Sequence, residues 1–212
     1  MSNPVYFCAS LDGEQVVLDG PEGRHAATVR RTRVGEVIDL VDGRGTRCTG
    51  SVTAATKDTV TMVVDSRVLE EPPSPWITLV QALAKGERGE LAVELATEVG
   101  VDEVVPWAAS RCVVRWDGER GGKALERWRS TAREAAKQAR RAWFPVVRDA
   151  VATAEIPLLS GTLLVLHEGA DTQLSSVDVV GDVVLVVGPE GGISDEELEV
   201  LGGTAVRLGG SV

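Results

Sequence analysis

The chain has 212 residues, 43% of them hydrophobic, and a formal net charge of −10 at pH 7. That length allows one large domain or two small ones with a substantial core, and no apolar run is long enough to span a bilayer. Three cysteines without a C-x-x-C spacing fit a reducing compartment. The N-terminus does not resemble a signal peptide, so we expect a cytoplasmic protein.

The first 70 residues contain short hydrophobic segments, rich in β-branched residues and separated by turn signals, which are typical of β-strands. Residues 36–41 predict a strand that runs into a turn at Asp42-Gly43-Arg44-Gly45. Residues 46–54 and 59–64 predict two further strands, and a short helix is expected near 23–29. We predict a small β-barrel-like domain over residues 1–70. Three prolines within residues 72–75 predict an extended linker over 71–75.

From residue 76 onward, strand and helix patterns alternate. Strands are predicted at 76–83, 103–107, 163–166, 183–187 and 205–208, with residues 111–116 continuing extended. Helices are predicted at 87–99, 123–143 and 194–201. This alternation is typical of an α/β domain with a parallel sheet, here over residues 76–212.

Three of these strands end in polar or glycine-rich residues. The exits are His167-Glu168-Gly169, Gly188-Pro189-Glu190-Gly191-Gly192 and Gly209-Gly210. Each alone also fits an ordinary turn, but ligands of open parallel sheets bind where strands end, so together they predict one crevice. After the second exit, Ser194 and Glu197 have the spacing of a capping box, which predicts a helix N-terminus.

The charge around the second exit indicates which ligands the crevice tolerates. Glu190 and the acidic residues 195–197 would repel a phosphate and favour a positively charged ligand such as a sulfonium. No phosphate-binding loop of the ATPase type and no G-x-G-x-x-G motif is present. The two histidines, His25 and His167, fall in different predicted domains, so neither a metal site nor a Ser-His-Asp triad is expected.

Basic residues are concentrated in two segments despite the negative net charge. Six arginines lie within residues 24–47 against three acids, and eleven basic residues lie within 111–148 against four acids. From residue 149 onward, eleven acids accompany the single Arg207. Two explanations fit this pattern. The basic residues either form two surfaces that contact nucleic-acid phosphates, or they lie on two ordinary surfaces exposed to solvent. The preference for arginine over lysine favours phosphate or base contacts.

The glycine-rich segment 188–192, followed by Ser194-Asp195-Glu196-Glu197, resembles the cofactor segment of trefoil-knotted (SPOUT) RNA methyltransferases. Over nearly the whole chain, motifs in collinear order resemble the small-subunit ribosomal RNA uridine-N3 methyltransferases. These motifs are Lys85-Gly86-Glu87-Arg88, residues 96–101, residues 110–114, residues 134–138, Arg141 and Pro145. In the first domain, His25, Val29, Arg31, Gly35 and residues 42–45 are similar to that family's PUA-like RNA-binding barrel.

This resemblance implies an α/β fold with a SPOUT-type trefoil-knotted parallel sheet after a small PUA-like β-barrel. It implies a homodimer that uses S-adenosylmethionine to methylate N3 of one uridine in small-subunit ribosomal RNA, on the assembled subunit. The implied cofactor residues are Leu166, His167, Glu168, Gly188, Pro189, Gly191, Gly192, Leu208 and Gly209. Arg141 is the candidate for stabilising negative charge on the uracil, with Glu190 or Glu168 as further catalytic candidates. Arg31, Arg33, Arg44 and Arg111 are expected to hold RNA phosphates.

The similar family continues past the Leu208-Gly209 strand into an L-R-T-x-T-A segment and a final helix, which the 212 residues do not include. We therefore expect a pocket that lacks one wall and binds cofactor weakly. Two alternatives stay open. One is a non-catalytic RNA-binding module in ribosome assembly, and the other is a SPOUT methyltransferase that acts on a different RNA.

Overall fold

The computed structural model describes residues 3–209. Contacts between residues divide the chain into two compact units. The first comprises the residues up to Pro72 together with Ala136–Phe144, and the second comprises Pro73–Ala135 and the residues from Pro145 onward. The first unit therefore includes the distant segment Ala136–Phe144. The change of sequence pattern at residues 72–75 does not predict this.

The first unit is built on a mixed five-stranded sheet with the strand order β1-β3-β4-β5-β2. Its strands are β1 (Val5–Phe7), β2 (Gln15–Leu18), β3 (Val37–Val41), β4 (Thr46–Ala55) and β5 (Val60–Leu69). Only the β1–β3 pair is parallel among these neighbours. Helix α1 (Gly20–Arg24) continues into a π-helical turn over His25–Val29. Alternate strand residues such as Ile38 and Leu40 fill the core, because successive side chains point to opposite faces.

The turn between β3 and β4 is held by its own residues. Asp42 Oδ1 accepts a hydrogen bond from the backbone N–H of Arg44 at 2.8 Å. Gly45 has a φ of 99°, and a Cβ there would lie 2.7 Å from the Trp143 ring, so no larger residue fits. This predicted turn is confirmed, and it leaves the Arg44 side chain exposed.

The second unit is built on six parallel strands in the order β11-β9-β10-β6-β7-β8. In chain order its elements are β6 (Ile77–Ala82), α2 (Arg88–Glu98), β7 (Glu103–Trp107), α3 (Gly118–Gln138), β8 (Val146–Val147), β9 (Thr162–Leu166), β10 (Val183–Val187), α4 (Asp195–Leu201) and β11 (Thr204–Val206). Two 3-10 turns lie at Thr153–Leu158 and Leu174–Ser176. The end of α3 falls within the segment assigned to the first unit.

The strands of the second unit are mostly apolar, as is typical of a parallel sheet that is covered on both faces. Val165, Val184 and Val186 are fully buried or nearly so and form the centre of its core. The rings of Trp116 and Trp128 pack edge to face with centroids 5.0 Å apart. Since the strands run in one direction, the carboxyl ends of β9, β10 and β11 meet at one edge, as the sequence predicts.

The alternating strands and helices confirm the predicted α/β class, but two predicted elements of this unit have different bounds and one does not form. The long helix spans 118–138 rather than 123–143, because Arg140 adopts a φ of 57° and Ala142 pairs with the turn at Gly45 instead. Residues 111–116 do not form a strand, since a turn closes with the Cys112 N–H donating to the Ala109 carbonyl. The last strand ends at Val206 rather than Leu208.

Candidate functional site

A cleft of about 230 Å³ lies in the second unit, where β9, β10 and β11 end. It is lined by Leu166, His167, Glu168, Val187, Gly188, Pro189, Gly192, Ile193, Val206, Arg207 and Leu208. A wider hollow of about 890 Å³ runs along α2, but charged side chains such as Arg127 and Glu90 line it and pair with each other. The strand-end cleft, with apolar walls and a few convergent polar groups, is the candidate ligand site.

The turn after β10 forms one wall of this cleft. Its Gly192 N–H donates to the Pro189 carbonyl at 2.9 Å, and Gly192 has a φ of 74°, where a side chain would be strained. A Cβ on Gly188 would lie 2.6 Å from Ile193 Cγ1, so Gly188 lets the turn fold back on itself. These two glycines therefore give the turn its shape and keep backbone at the surface of the cleft.

Arg111 holds this turn from outside. Its Nη1 donates to the carbonyl oxygens of Gly191 at 3.1 Å and Ile193 at 3.4 Å. A Cβ on Gly191 would lie 3.3 Å from the Arg111 Cβ, which shows how closely the two backbones approach. The structure thus brings Arg111, predicted from the sequence as a phosphate contact, onto the glycine turn itself.

Glu197 fixes the start of α4, directly after the turn. The predicted capping box is confirmed: the Glu197 N–H donates to Ser194 Oγ at 3.2 Å, and the Ser194 N–H donates to Glu197 Oε2 at 3.3 Å. The same carboxylate accepts hydrogen bonds from the Ser110 N–H and Ser110 Oγ, each at 2.8 Å, and from Thr153 Oγ1 at 3.1 Å. One buried carboxylate thereby ties three segments of the second unit together.

These contacts determine the ionisation of Glu197. Burial alone raises the pKa of this carboxyl. The hydrogen bonds from Ser110, Ser194 and Thr153 to the charged form outweigh burial, and the pKa of Glu197 lies below its ordinary value. Glu197 is therefore ionised in the folded protein at neutral pH.

Glu190 lies at the exposed tip of the same turn. A hydrogen bond from its own backbone N–H, with further ones from the Lys85 backbone and Arg88, lowers the pKa of Glu190. Its Oε1 forms an ion pair with Arg88 Nη1 at 3.3 Å. Glu190 is thus an ionised, solvent-accessible carboxylate beside the cleft.

The opposite wall is formed by the residues after β9. The His167 N–H donates to the Val206 carbonyl at 2.9 Å, and His167 Nδ1 accepts a hydrogen bond from the Gly169 N–H at 3.1 Å. Glu168 is exposed, and its Oε1 lies 3.8 Å from the position that a Cβ on Gly192 would occupy. The Glu168 carboxylate therefore faces the glycine turn.

Seven of the nine predicted cofactor residues line the cleft, namely Leu166, His167, Glu168, Gly188, Pro189, Gly192 and Leu208. Gly191 belongs to the same turn, and Gly209 directly follows Leu208. The cleft is also lined by residues that the strand-end patterns in the sequence do not indicate, namely Val187, Ile193, Val206 and Arg207. Arg207 had a visible signal, because it is the only basic residue after residue 149 apart from His167.

The remaining candidates lie in the first unit. Arg31, Arg33 and Arg44 are exposed, and Arg31 has a φ of 56°, which is uncommon for a residue other than glycine. Arg141 follows the end of α3, and its N–H donates to the Ala136 carbonyl at 2.9 Å. Over residues 3–209, no cluster of three or more side chains is suited to holding a metal ion. No helix in this range is long and apolar enough to cross a membrane.

Comparisons with known proteins match both units to models of protein families. A family model described as an RNA methyltransferase domain matches residues 70–212, and one described as an RNA methyltransferase PUA domain matches residues 18–65. The chain is 45% identical over 215 aligned residues to ribosomal RNA small subunit methyltransferase E of Mycobacterium bovis, which covers 94% of this chain and 81% of the relative.

Solved structures show the same fold. The crystal structure of ribosomal RNA small subunit methyltransferase E from Neisseria gonorrhoeae, bound to S-adenosyl methionine, has a TM-score of 0.88 at 28% identity. A methyltransferase of Legionella pneumophila in complex with the cofactor SAM has a TM-score of 0.89 at 28% identity. Each match covers 100% of this chain and 91% of the other. The expected pairing of a PUA-type domain with an α/β methyltransferase domain is thereby confirmed.

Proposed function

Because the chain belongs to the ribosomal RNA small subunit methyltransferase E family, we propose that it transfers a methyl group from S-adenosylmethionine to N3 of one uridine in small-subunit ribosomal RNA. The observation that carries this function is the cleft where β9, β10 and β11 end. Its substrate is the assembled small subunit, and we expect the enzyme to act in the cytoplasm, where ribosomal subunits are found.

The cleft residues fit S-adenosylmethionine. Leu166, Val187 and Val206 supply apolar walls, and the turn at Gly192 exposes backbone for close approach to an adenosine. The Glu168 carboxylate supplies a negative charge at a cleft whose ligand carries a net positive charge. When bound, the cofactor supplies an electrophilic methyl group; the protein holds and orients it against the base.

The chain's own residues must also deal with the proton on uracil N3, which is present near neutral pH. As N3 loses this proton, negative charge develops on the neighbouring oxygens, and Arg141 is our candidate for stabilising it. Glu190 is ionised and exposed, so it can accept a hydrogen bond from N3–H. Its lowered pKa makes it a weak base, so we assign it orientation of N3–H, with the proton passing on to water.

Binding of the RNA depends on positive charge in the first unit. Arg31, Arg33 and Arg44 are exposed, and their planar donors suit phosphate oxygens. Such contacts release counterions, so we expect RNA affinity to fall steeply with salt.

The test is methyl transfer from radiolabelled S-adenosylmethionine to small ribosomal subunits lacking this modification, followed by nucleoside mass spectrometry for N3-methyluridine. Naked ribosomal RNA is the comparison substrate, and we expect it to react much more slowly. Glu190→Gln should lower the rate about tenfold or more, whereas the control Glu196→Gln, an exposed carboxylate on α4, should not. RNA binding without methylation would instead support the non-catalytic alternative.

We further propose that the enzyme is a homodimer joined through α2. Leu91 and Leu95 of α2, together with Val99 directly after the helix, recur every four residues and are exposed by 52%, 53% and 82%. Residues at this spacing share one helix face, so they form an apolar stripe. Sedimentation equilibrium should show a dimer that Leu95→Glu dissociates; a wild-type chain that stays monomeric at micromolar concentration contradicts this.

A further inference from the structure

The strand-end cleft contains a buried donor without an acceptor. Among the described residues, Arg207 Nε is the one buried side-chain nitrogen or oxygen atom without a hydrogen-bond partner. A buried unsatisfied donor costs about 1–3 kcal/mol, so each such group in a folded protein requires an explanation. Because Arg207 lines the cleft, the missing acceptor is expected to belong to a ligand.

The backbone around Arg207 is firmly held. Its N–H donates to the Thr172 carbonyl at 2.9 Å, and its carbonyl accepts from the Leu174 N–H at 2.9 Å. The preceding Val206 carbonyl accepts from the His167 N–H. Arg207 is therefore attached on both sides to the segment after β9, and the base of its side chain has little freedom to turn away from the cleft.

A carboxylate lies in the same cleft without neutralising this arginine. Glu168 lines the cleft beside the glycine turn, and neither Glu168 nor Arg207 forms an ion pair within residues 3–209. An unpaired arginine and an unpaired glutamate in one small cleft are complementary to a ligand group that carries both a negative and a positive charge. A free α-amino acid group, with its carboxylate and its ammonium, has this chemistry.

On the basis of the proposed function, we propose that Arg207 and Glu168 recognise the amino-acid end of S-adenosylmethionine. The end of the Arg207 side chain rotates to bring its Nε–H to the surface of the cleft, where it donates to the α-carboxylate, and Glu168 faces the α-ammonium. The two residues thereby select for ligands that keep the intact methionine portion, while the apolar walls and the glycine turn hold the nucleoside.

The experiment is calorimetric titration, without RNA, of three ligands into the whole chain. S-adenosylmethionine carries both charged groups of the amino-acid end, decarboxylated S-adenosylmethionine lacks only the carboxylate, and 5′-methylthioadenosine lacks the entire end. The variants are Arg207→Met and Glu168→Gln. Arg120→Met, which removes an exposed charge on α3 outside the cleft, is the control for net charge.

We expect Arg207→Met to weaken binding of S-adenosylmethionine about 10- to 100-fold, the range for a hydrogen bond to a charged group. Binding of the other two ligands should change less than about twofold, since neither has the carboxylate. Glu168→Gln should weaken both ligands that carry the ammonium and spare 5′-methylthioadenosine. In a further titration, binding of S-adenosylhomocysteine, which keeps the ammonium but has a neutral sulfur, should be weakened to the same extent, which separates the ammonium contact from one with the sulfur. Retained binding of 5′-methylthioadenosine also shows that each variant is folded.

Equal weakening of all three ligands by Arg207→Met would mean that Arg207 supports the wall or contacts the nucleoside, and it overturns the inference. An unchanged affinity for S-adenosylmethionine overturns it as well, and in both cases the proposed function stands. If the wild-type chain binds none of the three ligands and methylates no RNA, the proposed function fails together with the inference.

Discussion

In both units, some arginines have partners within the protein and others do not. In the second unit, Arg127, Arg129 and Arg148 form ion pairs with carboxylates of the same unit, and Arg111 donates to backbone carbonyl groups. In the first unit, Arg31, Arg33 and Arg44 are exposed, and their side chains have no partner within residues 3–209. The two basic segments look alike in the sequence, and the second also contains exposed arginines without a partner within residues 3–209, namely Arg115, Arg120 and Arg133. Basic composition therefore locates candidate RNA contacts, and the internal partners decide among them.

The largest expected effect comes from removing an internal charge of the second unit. In Glu197→Gln, one carboxylate oxygen becomes an NH₂ group. In the wild type, one oxygen of Glu197 accepts the Ser110 N–H and the other accepts the Ser194 N–H. In either orientation of the new amide, its NH₂ group would therefore face one of these backbone N–H groups, and both are donors. We expect the free energy of unfolding to fall by about 2–3 kcal/mol. Urea denaturation measures it, with Glu196→Gln as the exposed control.

Acidification should reproduce this loss in the wild-type chain. The pKa of Glu197 is lower in the folded protein than its ordinary value of 4.5, so its contribution to stability is complete above that value. The contribution is lost as the pH falls through the lower, folded pKa. Between pH 6 and the acid transition, Glu197→Gln should therefore lose less stability than the wild type. Parallel pH curves for the two proteins would contradict the assigned role.

The second prediction concerns the uncommitted arginines of the first unit. Arg31→Gln combined with Arg33→Gln should weaken RNA binding about tenfold and reduce the salt dependence by about 0.7 per lost phosphate contact. Thermal stability should not change, since no internal partner is lost. Filter binding at several salt concentrations tests this. An unchanged salt slope would show that these residues do not contact phosphates.

Arg111 gives a smaller and more discriminating test. It was predicted from the sequence to hold RNA, but it donates to Gly191 and Ile193. We expect Arg111→Gln to weaken cofactor binding about threefold to tenfold by loosening the turn, roughly the value of one or two hydrogen bonds. RNA affinity measured without cofactor should stay the same. A loss of RNA affinity with unchanged cofactor binding would assign Arg111 to the same class as Arg31.

The smallest effect is expected at the exposed ion pairs of α3. Arg129 contacts Glu126 and Asp149, both largely exposed, so Arg129→Gln should change the free energy of unfolding by less than about 1 kcal/mol. RNA affinity should also be unaffected. A tenfold loss of RNA affinity would show that α3 is an RNA-facing surface despite its internal pairs.

The sequence predicts most of the second unit because its signals are local. The β-branched run before Gly188 predicts β10, and the spacing of Ser194 and Glu197 predicts the cap of α4. The sequence does not predict features that depend on contacts between residues far apart along the chain. The extent of α3 depends on a pairing between Ala142 and Gly45, and the contacts of Arg111 depend on a turn eighty residues later. The orphaned nitrogen of Arg207 can be identified only when its surroundings are known.

The position of β11 at the edge of the parallel sheet has a consequence during protein synthesis. β11 pairs with β9 and supplies Val206 and the following residues to the cleft, although it is the last strand of the described chain. Because the N-terminus of a chain is synthesised first, the strands of the first unit and β6 to β10 leave the ribosome before β11, which forms this wall of the cleft. The cleft is therefore complete only after β11 has been synthesised, so a nascent chain that ends before β11 lacks one wall of the cofactor site.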